Sequence, residues 1–277
     1  MRDRLRFART PTGAVGLAML ALVVGIALLG PLFSPYAPDE PVGVPLSGPE
    51  DGTPLGTDFL GRDVVSRVLW GGRSVLWLAG LSTLLGYTLG VVIGLAAGYS
   101  RSLLDGLLMR SADIVIAVPA LLFLLVLATG AGASTTALVL GVALVQAPPV
   151  ARIVRAATLE QSVRGFVEAA VARGESTPAI LGREILPNVA GPIAADLGVR
   201  FNYSIILIAS VNFLGLGLQP PAADWALLVS ENRSALDLNP YVILAPAVML
   251  ALLTIGVNLV GDAVARSLGR SSLEAVR

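Results

Sequence analysis

Six long apolar stretches dominate the sequence and restrict the folds open to it. A helix needs about 20 mostly apolar residues to cross the roughly 30 Å of hydrocarbon in a lipid bilayer. Charged residues make up only 14% of the chain, whereas soluble domains carry about a quarter. The sequence therefore predicts an all-α integral membrane protein with six transmembrane helices, at Gly13–Phe33, Ser74–Tyr99, Ala112–Gly130, Thr136–Ile153, Ile193–Gly217 and Tyr241–Ala265.

The arginines predict the orientation of these helices. All nineteen basic residues are Arg, and placing both termini in the cytoplasm leaves only four on the outer side: Arg62, Arg67, Arg73 and Arg233. This distribution satisfies the positive-inside rule, which the inverted orientation would violate. The first stretch exceeds the apolar region of a signal peptide, about 7–15 residues, so we expect a retained anchor. The expected segments are cytoplasmic ends at 1–12 and 266–277, an external loop at 34–73 and a five-helix membrane core at 74–265.

The end of the external loop carries a helical pattern between residues 59 and 70. Apolar side chains recur every four positions and polar ones lie opposite: Leu60, Val64 and Val68 against Arg62, Asp63 and Arg67. Thr57 or Asp58 can cap the start of such a helix, and Gly71 can end it. The pattern predicts an amphipathic helix on the outer membrane surface. A helix packed on protein is the alternative, with the same topology.

Three residue types are absent, and their absence limits the chemistry that this chain can perform. There is no Cys, no His and no Lys. The chain therefore lacks thiolate and imidazole groups for catalysis or metal binding, and it lacks the Lys that a P-loop requires. We expect no catalytic residue, no metal site and no cofactor in this chain. A net charge of zero argues against a nucleic-acid partner.

The spans themselves offer few charged groups. Ionisable residues inside a membrane usually mark proton or sodium sites, and we place none in the middle of any predicted span. The sequence therefore argues against an ion-coupled carrier and favours energy supplied by a separate protein.

The largest cytoplasmic loop covers residues 154–192. Its centre, Phe166–Gly174, predicts a short helix with a face of small residues, ended by Gly174. A second short helix is expected after it, with Thr177 as N-cap and Pro178 at its first position. Pro187 is expected to break the chain before the next span. Two short helices held rigidly below the bundle would form a docking site for a soluble partner.

This loop resembles the EAA loop of ABC importer permeases. Glu168-Ala169-Ala170 is followed after three residues by Gly174, and later by Ile185-Leu186-Pro187. In that family the loop inserts into a groove on the ATPase. The resemblance therefore implies ATPase coupling by Glu168, Ala169, Ala170, Arg173, Gly174 and Pro187.

Other segments narrow the resemblance to the dipeptide, oligopeptide and nickel permeases of the C type (DppC/OppC-like). They are Pro54–Asp58, Gly61–Asp63, Phe213–Gly217 and Asn258–Asp262. The sequence departs from that pattern at Ile208, where many relatives have Glu, and at Gln146–Pro149.

The resemblance implies a type I ABC importer permease fold and a subunit that forms half of a translocation path for di- or oligopeptides. It implies several partners: a second homologous permease, two ATPase subunits or domains that use ATP and Mg²⁺, and an extracytoplasmic solute-binding protein. The implied location is a bacterial inner membrane. Permeases for nickel or another small solute, and a membrane scaffold, remain alternatives.

Polar residues on the last two spans are candidates for the path. Thr254, Asn258 and Asp262 recur every four residues, and Arg266 continues the row. One interpretation is a polar face toward the path, with Asp262 and Arg266 paired at the cytoplasmic mouth. Tyr203, Ser210 and Asn212 are further candidates on the fifth span. The alternative for all of them is hydrogen bonding between helices.

Overall fold

The computed structural model describes residues 10–100, 102–132 and 134–274, and most of them are helical. The N-terminal arginines that are predicted to be cytoplasmic (Arg2, Arg4, Arg6 and Arg9) lie outside the described residues. The helices are α1 Pro11–Leu29, α2 Val64–Ser100, α3 Leu103–Ala117, α4 Ala120–Gly130, α5 Thr135–Gln161, α6 Gly165–Ala172, α7 Thr177–Ala179, α8 Leu186–Phe213, α9 Trp225–Glu231 and α10 Tyr241–Glu274. A 3₁₀ turn, Gly30–Leu32, extends α1, and a π-helical segment, Ile180–Ile185, joins α7 to α8.

Six membrane spans can be built from these helices. Four are long and apolar enough alone: Pro11–Leu32, α2, α5 and Tyr241–Val264. Two more are bent pairs, α3 with α4 at 85° and Thr177–Ala194 with Asp196–Phe213 at 57°. Counting each pair once gives six, the number predicted from the hydropathy pattern.

The third span is broken because Pro119 cannot continue a helix from α3. Val118, the residue before it, has an extended backbone with φ −85° and ψ 126°, which is the conformation that a following proline favours. The span therefore turns sharply between its two halves. Its first half starts at Leu103, earlier than predicted.

Helices α2 and α5 pack with their backbones in contact. Glycines recur every four residues along α2, and a Cβ on any of them would lie within about 3 Å of an α5 carbonyl oxygen. Those glycines are Gly86, Gly90, Gly94 and Gly98. At Gly90 the distance to the Ala147 oxygen would be 2.7 Å, and at Gly94 the distance to the Ala151 oxygen would be 2.6 Å. This small-residue seam is the most extensive helix pairing in the described chain.

The predicted amphipathic helix at residues 59–70 is wrong. Helix α2 begins at Val64 and passes through Gly71 without interruption. Asp63 precedes it and accepts hydrogen bonds from the backbone N–H and hydroxyl of Ser66, at 2.7 and 2.6 Å. Gly71 does not end the helix. Its lack of a side chain instead makes room for Trp225, whose Cδ1 would lie 2.8 Å from a Cβ at that position.

The polar side chains of that segment face protein instead of the aqueous phase. Arg62 and Arg67 are 2% and 0% exposed. Arg62 pairs with Asp58 at 2.6 Å and with Glu231 of α9 at 3.0 Å, and Arg67 pairs with Glu231 at 3.2 Å. Of the alternative, a helix packed on protein, only the packing holds, because residues 59–63 are not helical. These pairs fasten the segment before α2 and the start of α2 to α9.

Candidate docking and coupling site

Helix α6 has one buried face and one exposed face. Val167 and Ala170 are 2% and 0% exposed and pack in an apolar cluster with Ile180, Ile185 and Val189. The opposite face is exposed and carries Glu168, Ala169, Val171, Ala172 and Arg173. An eight-residue helix is too short to be stable alone in water, so this packing holds it in place. What it presents outward is a surface of small residues with one carboxylate at its start.

The helix ends as the sequence predicted. Gly174 has φ +76°, a conformation that glycine adopts at little cost. Its N–H donates to the Val171 carbonyl at 2.9 Å, and the next N–H, that of Glu175, donates to the Ala170 carbonyl at 3.2 Å. This pair of bonds is the Schellman arrangement. The prediction that Gly174 terminates the helix is confirmed.

Arg173 connects the end of α6 to the next helical segment. Its guanidinium pairs with Glu175 at 2.6 Å and lies 3.4 Å from Glu184 in the π-helical segment. These groups are partly exposed, so each pair is worth little by itself. Their effect is to orient the Arg173 side chain at the edge of the exposed face of α6.

The segment after α6 differs from the prediction. Ser176, and not Thr177, occupies the N-cap position. Pro187 does not break the chain, because it lies in the first turn of α8 directly after the π-helical segment. A proline ring clashes with the carbonyl four residues back, and the wider π turn relieves that clash. The bend comes later, between Ala194 and Asp196.

The predicted path residues occupy different environments. Tyr203 on α8 is 37% exposed, and Asn258 on α10 is exposed. Ser210 lines an open apolar cleft of about 560 Å³ formed by α4, α8, α9 and α10. The hydroxyls of Ser210 and Thr254 donate to carbonyls of their own helices, Ile206 and Leu250, at 2.7 and 2.9 Å.

Asn212, the remaining predicted path residue, has no exposed surface in this structure. It is fully buried, its amide donates to Asp224 at 3.1 Å, and its side-chain oxygen accepts from the Leu218 N–H at 2.9 Å. Asp224 caps α9 by accepting from the backbone N–H groups of Ala226 and Leu227. Burial raises the pKa of the Asp224 carboxyl, and the hydrogen bonds that it accepts offset only part of that rise. Asn212 and Asp224 together fix the C-terminal end of α8.

The predicted pair at the cytoplasmic mouth does not form. Asp262 and Arg266 are both exposed and within the described chain, and no ion pair joins them. Arg266 instead donates to the Thr12 hydroxyl at 3.2 Å. The contact joins α10 to α1, which packs along it.

Charged residues within the spans were missed by sequence reasoning. On the fifth span, the Nε of Arg200 donates to Asp196 at 3.0 Å, and both side chains are largely buried. The hydroxyl of Tyr87 on α2 donates to the same carboxylate at 2.8 Å. Two further pairs join α3 to α5, Asp105 with Arg155 and Asp113 with Arg152. The spacing of four between Asp196 and Arg200 is the signal that could have revealed the first pair.

Two protein-family models match this chain. A family model described as "binding-protein-dependent transport system inner membrane component" matches residues 90–272. A second, described as the N-terminal TM domain of oligopeptide transport permease C, matches residues 3–47.

Two curated relatives match nearly the whole chain. The glutathione transport system permease protein GsiD of Pectobacterium atrosepticum is 33% identical over 259 residues, which cover 93% of this chain and 86% of GsiD. The di/tripeptide transport system permease protein DppC of Pseudomonas aeruginosa is 32% identical over 263 residues, covering 92% of this chain and 87% of DppC.

Solved structures share the fold. A chain of the MetNI methionine ABC transporter in an inward-facing conformation superposes with a TM-score of 0.59 at 18% identity, covering 73% of this chain and 96% of that one. A chain of an amino acid ABC transporter solved with histidines gives a TM-score of 0.53 at 23% identity, covering 69% and 89%. The chain therefore belongs to the binding-protein-dependent transport system inner membrane components, as a permease subunit of an ABC importer.

Proposed function

We propose that this permease imports peptides and that α6 is the helix on which its ATPase partner docks. The observation that carries the docking assignment is the geometry of α6: Val167 and Ala170 are buried, while Glu168 and Ala169 face outward. A rigid helix with small exposed side chains fits closely into a groove, and its one carboxylate can pair with a basic group there. The peptide assignment is supported by relatives named for di/tripeptide and glutathione transport.

The energy for transport comes from partner chains in this proposal. Two ATPase subunits or domains hydrolyse ATP with Mg²⁺, a second homologous permease completes the path, and an extracytoplasmic binding protein delivers cargo. This chain is a non-catalytic subunit, because a Walker-type phosphate site requires a Lys and the sequence has none. The orientation follows the arginines: α6 and both termini are cytoplasmic and the loop at 34–63 is external.

The proposed path runs along exposed polar residues of α8 and α10. Tyr203 and Asn258 are exposed, and Ser210 and Thr254 are partly so. Because these side chains are uncharged, the path would suit cargo whose side chains vary. Arg173 also belongs to this ATPase-coupling proposal. Pro187 lies in the first turn of α8 and shapes the entry to that helix.

The docking assignment is tested by a substitution that destabilises only the C-terminal end of α6. Gly174→Ala places a Cβ on a residue with φ +76° where no neighbouring atom lies within 4 Å, so the cost arises from the backbone alone. That cost is about 1 kcal/mol or more. We expect ATP-driven uptake of radiolabelled trialanine into proteoliposomes to fall severalfold, and co-purification of the ATPases to weaken.

Gly106→Ala is the matched control, because Gly106 is also exposed with open space around it but lies on α3. It should transport like the wild type. Normal ATPase retention and uptake by the Gly174→Ala complex would contradict the docking assignment. Uptake that a protonophore abolishes while ATP is present would contradict the ATP-driven mechanism. A membrane scaffold would show no ATP hydrolysis that responds to the binding protein.

A further inference from the structure

The fifth span carries an ion pair at the point where it bends. The segments Thr177–Ala194 and Asp196–Phe213 meet at 57°. Asp196 is the first residue above the bend, and Arg200, one turn further up, donates to it at 3.0 Å. Their side chains are 17% and 19% exposed. A charged pair is costly in a membrane and usually has a functional reason.

Tyr87 of α2 contacts both sides of this bend. Its hydroxyl lies 2.8 Å from the Asp196 carboxylate above the bend and 3.4 Å from the Ile193 carbonyl below it. A hydroxyl has one hydrogen to donate, so it can bond fully to only one of these acceptors at a time. A change in the bend angle would therefore change which half of the span Tyr87 holds.

The tyrosine is fixed to the rigid part of the bundle. It is 7% exposed and packs in the same apolar cluster as Val150 of α5. Gly86 and Gly90 flank it on α2 and place that helix directly against the α5 backbone. The hydroxyl of Tyr87 therefore reaches the bend from a helix that is close-packed against α5.

The segment below the bend is attached to the docking helix. Val167 and Ala170 of α6 pack on Ile180, Ile185 and Val189, which lie on the helical run that leads up to the bend. Val167 and Ala170 therefore link α6 directly to this run, in a cluster that also includes Tyr87 of α2 and Val150 of α5. The segment above the bend is held separately, because the Ser204 hydroxyl lies 2.7 Å from the Thr83 hydroxyl of α2.

We infer that Tyr87, Asp196 and Arg200, together called the bend cluster, are positioning residues that couple the docking helix to the upper half of α8. The inference rests on the proposed function. Arg200 holds the Asp196 carboxylate in place above the bend, and Tyr87 ties that carboxylate to α2. When the docking helix moves the lower segment, the bend cluster determines whether the upper segment follows. Without it, ATP hydrolysis would proceed with less transport for each ATP consumed.

The test measures ATP hydrolysed per radiolabelled trialanine imported, using the complete complex in proteoliposomes. We expect Tyr87→Phe to raise this ratio about fivefold or more, the size of effect that one lost hydrogen bond to a charged group can produce. The double variant Asp196→Asn with Arg200→Gln should do the same. It leaves no unpaired charge in the membrane, so it should fold. Thr88→Ala is the control, because the Thr88 hydroxyl donates only to Leu84 of its own helix.

Each of the other possible results contradicts the inference that the bend cluster couples α6 to the upper half of α8. An unchanged ratio with a lower thermal midpoint would make the three residues merely structural. An unchanged ratio with a raised KM for trialanine would make them cargo contacts. A wild-type complex without ATP-dependent uptake would overturn the proposed function and the inference with it, whereas a coupled wild type beside unaltered variants overturns the inference alone.

Discussion

Helix α2 contacts α5 and α8 in two different ways. Against α5 it presents glycine at every fourth position from Gly86 to Gly98, and the two backbones touch. Against α8 it presents side chains, with Thr83 bonded to Ser204 and Tyr87 bonded to Asp196. The glycine contact depends on shape along its whole length. The contact with α8 combines apolar packing, in which Val75 and Leu78 share a buried cluster with Ile205 and Ile208, with a few directional hydrogen bonds that can exchange partners.

This difference suggests that α2 and α5 form a fixed frame and that α8 moves relative to it. Two close-packed backbones cannot slide past each other without the carbonyls and side chains of one helix colliding with the other. Hydrogen bonds between side chains in a membrane are worth only about 0.6 kcal/mol on average, and a small displacement can replace one by another. Helix α8, which the π-helical segment connects to α7 and α6, is joined to α2 by the second kind of contact.

The largest expected effect comes from filling the glycine seam. Gly90→Val would place a Cβ 2.7 Å from the Ala147 carbonyl oxygen and 2.7 Å from the Val150 Cβ. Because a backbone carbonyl cannot turn aside, we expect a loss of about 3 kcal/mol in the free energy of unfolding, the upper end of the usual cost of overpacking. The measurement is SDS-induced unfolding of the purified protein, followed by tryptophan fluorescence.

Gly80→Val is the control for the seam, since Gly80 is on the same helix but a Cβ placed there would meet no neighbouring atom within 4 Å. It should differ from the wild type by less than about 1 kcal/mol. Equal losses at the two glycines would mean that close backbone approach does not distinguish the α5 contact.

A smaller effect is expected where α2 meets α8 through hydroxyl groups. Thr83→Val, Ser204→Ala and the double variant form a double-mutant cycle across the 2.7 Å contact. We expect a coupling free energy of about 0.6 kcal/mol and no more than roughly 1.7 kcal/mol. A coupling energy as large as the loss at Gly90 would remove the contrast between a fixed and an exchangeable interface.

The smallest effect is expected at Gln146 of α5. Its amide donates to Ser204 at 2.5 Å, but its buried side-chain oxygen has no hydrogen-bond partner within the described chain. Gln146→Leu removes that unsatisfied oxygen and leaves Ser204 bonded to Thr83. The gain and the loss offset each other, so the free energy of unfolding should change by less than about 0.5 kcal/mol. A loss above about 1.5 kcal/mol, the upper end for one neutral hydrogen bond, would contradict this and show that Gln146 stabilises the contact between α5 and α8.

Local sequence signals predicted the parts of the fold that depend on nearest neighbours. The six spans follow from hydropathy, and the end of α6 follows from Gly174, whose positive φ needs no distant contact. The pair formed by Asp196 and Arg200 is also local, because the residues are four apart on one helix. It could have been predicted from that spacing.

Other features were decided by residues far apart in the chain. The polar face at 59–70 has the periodicity of a surface helix, but Glu231 lies 164 positions from Arg67 and supplies the carboxylate that lets that arginine be buried. The side chain of Asn212 is similarly buried because Asp224 and Leu218 supply its hydrogen-bond partners. Periodicity predicts that a helix has two faces, but it does not identify what covers the polar one.

The sequence by itself determined that lipid is the solvent, how many spans there are, where α6 ends and that a Walker-type phosphate site is absent, since each depends on composition or on residues within one or two turns. Only the tertiary structure decided that α2 starts at Val64 and runs through Gly71, that the fifth span bends at Asp196 and not at Pro187, and that Tyr87 reaches that bend from 109 positions away. The physical reason is that hydropathy and helix termination are properties of the local chain. The burial of a charge depends on which distant groups the fold brings to it.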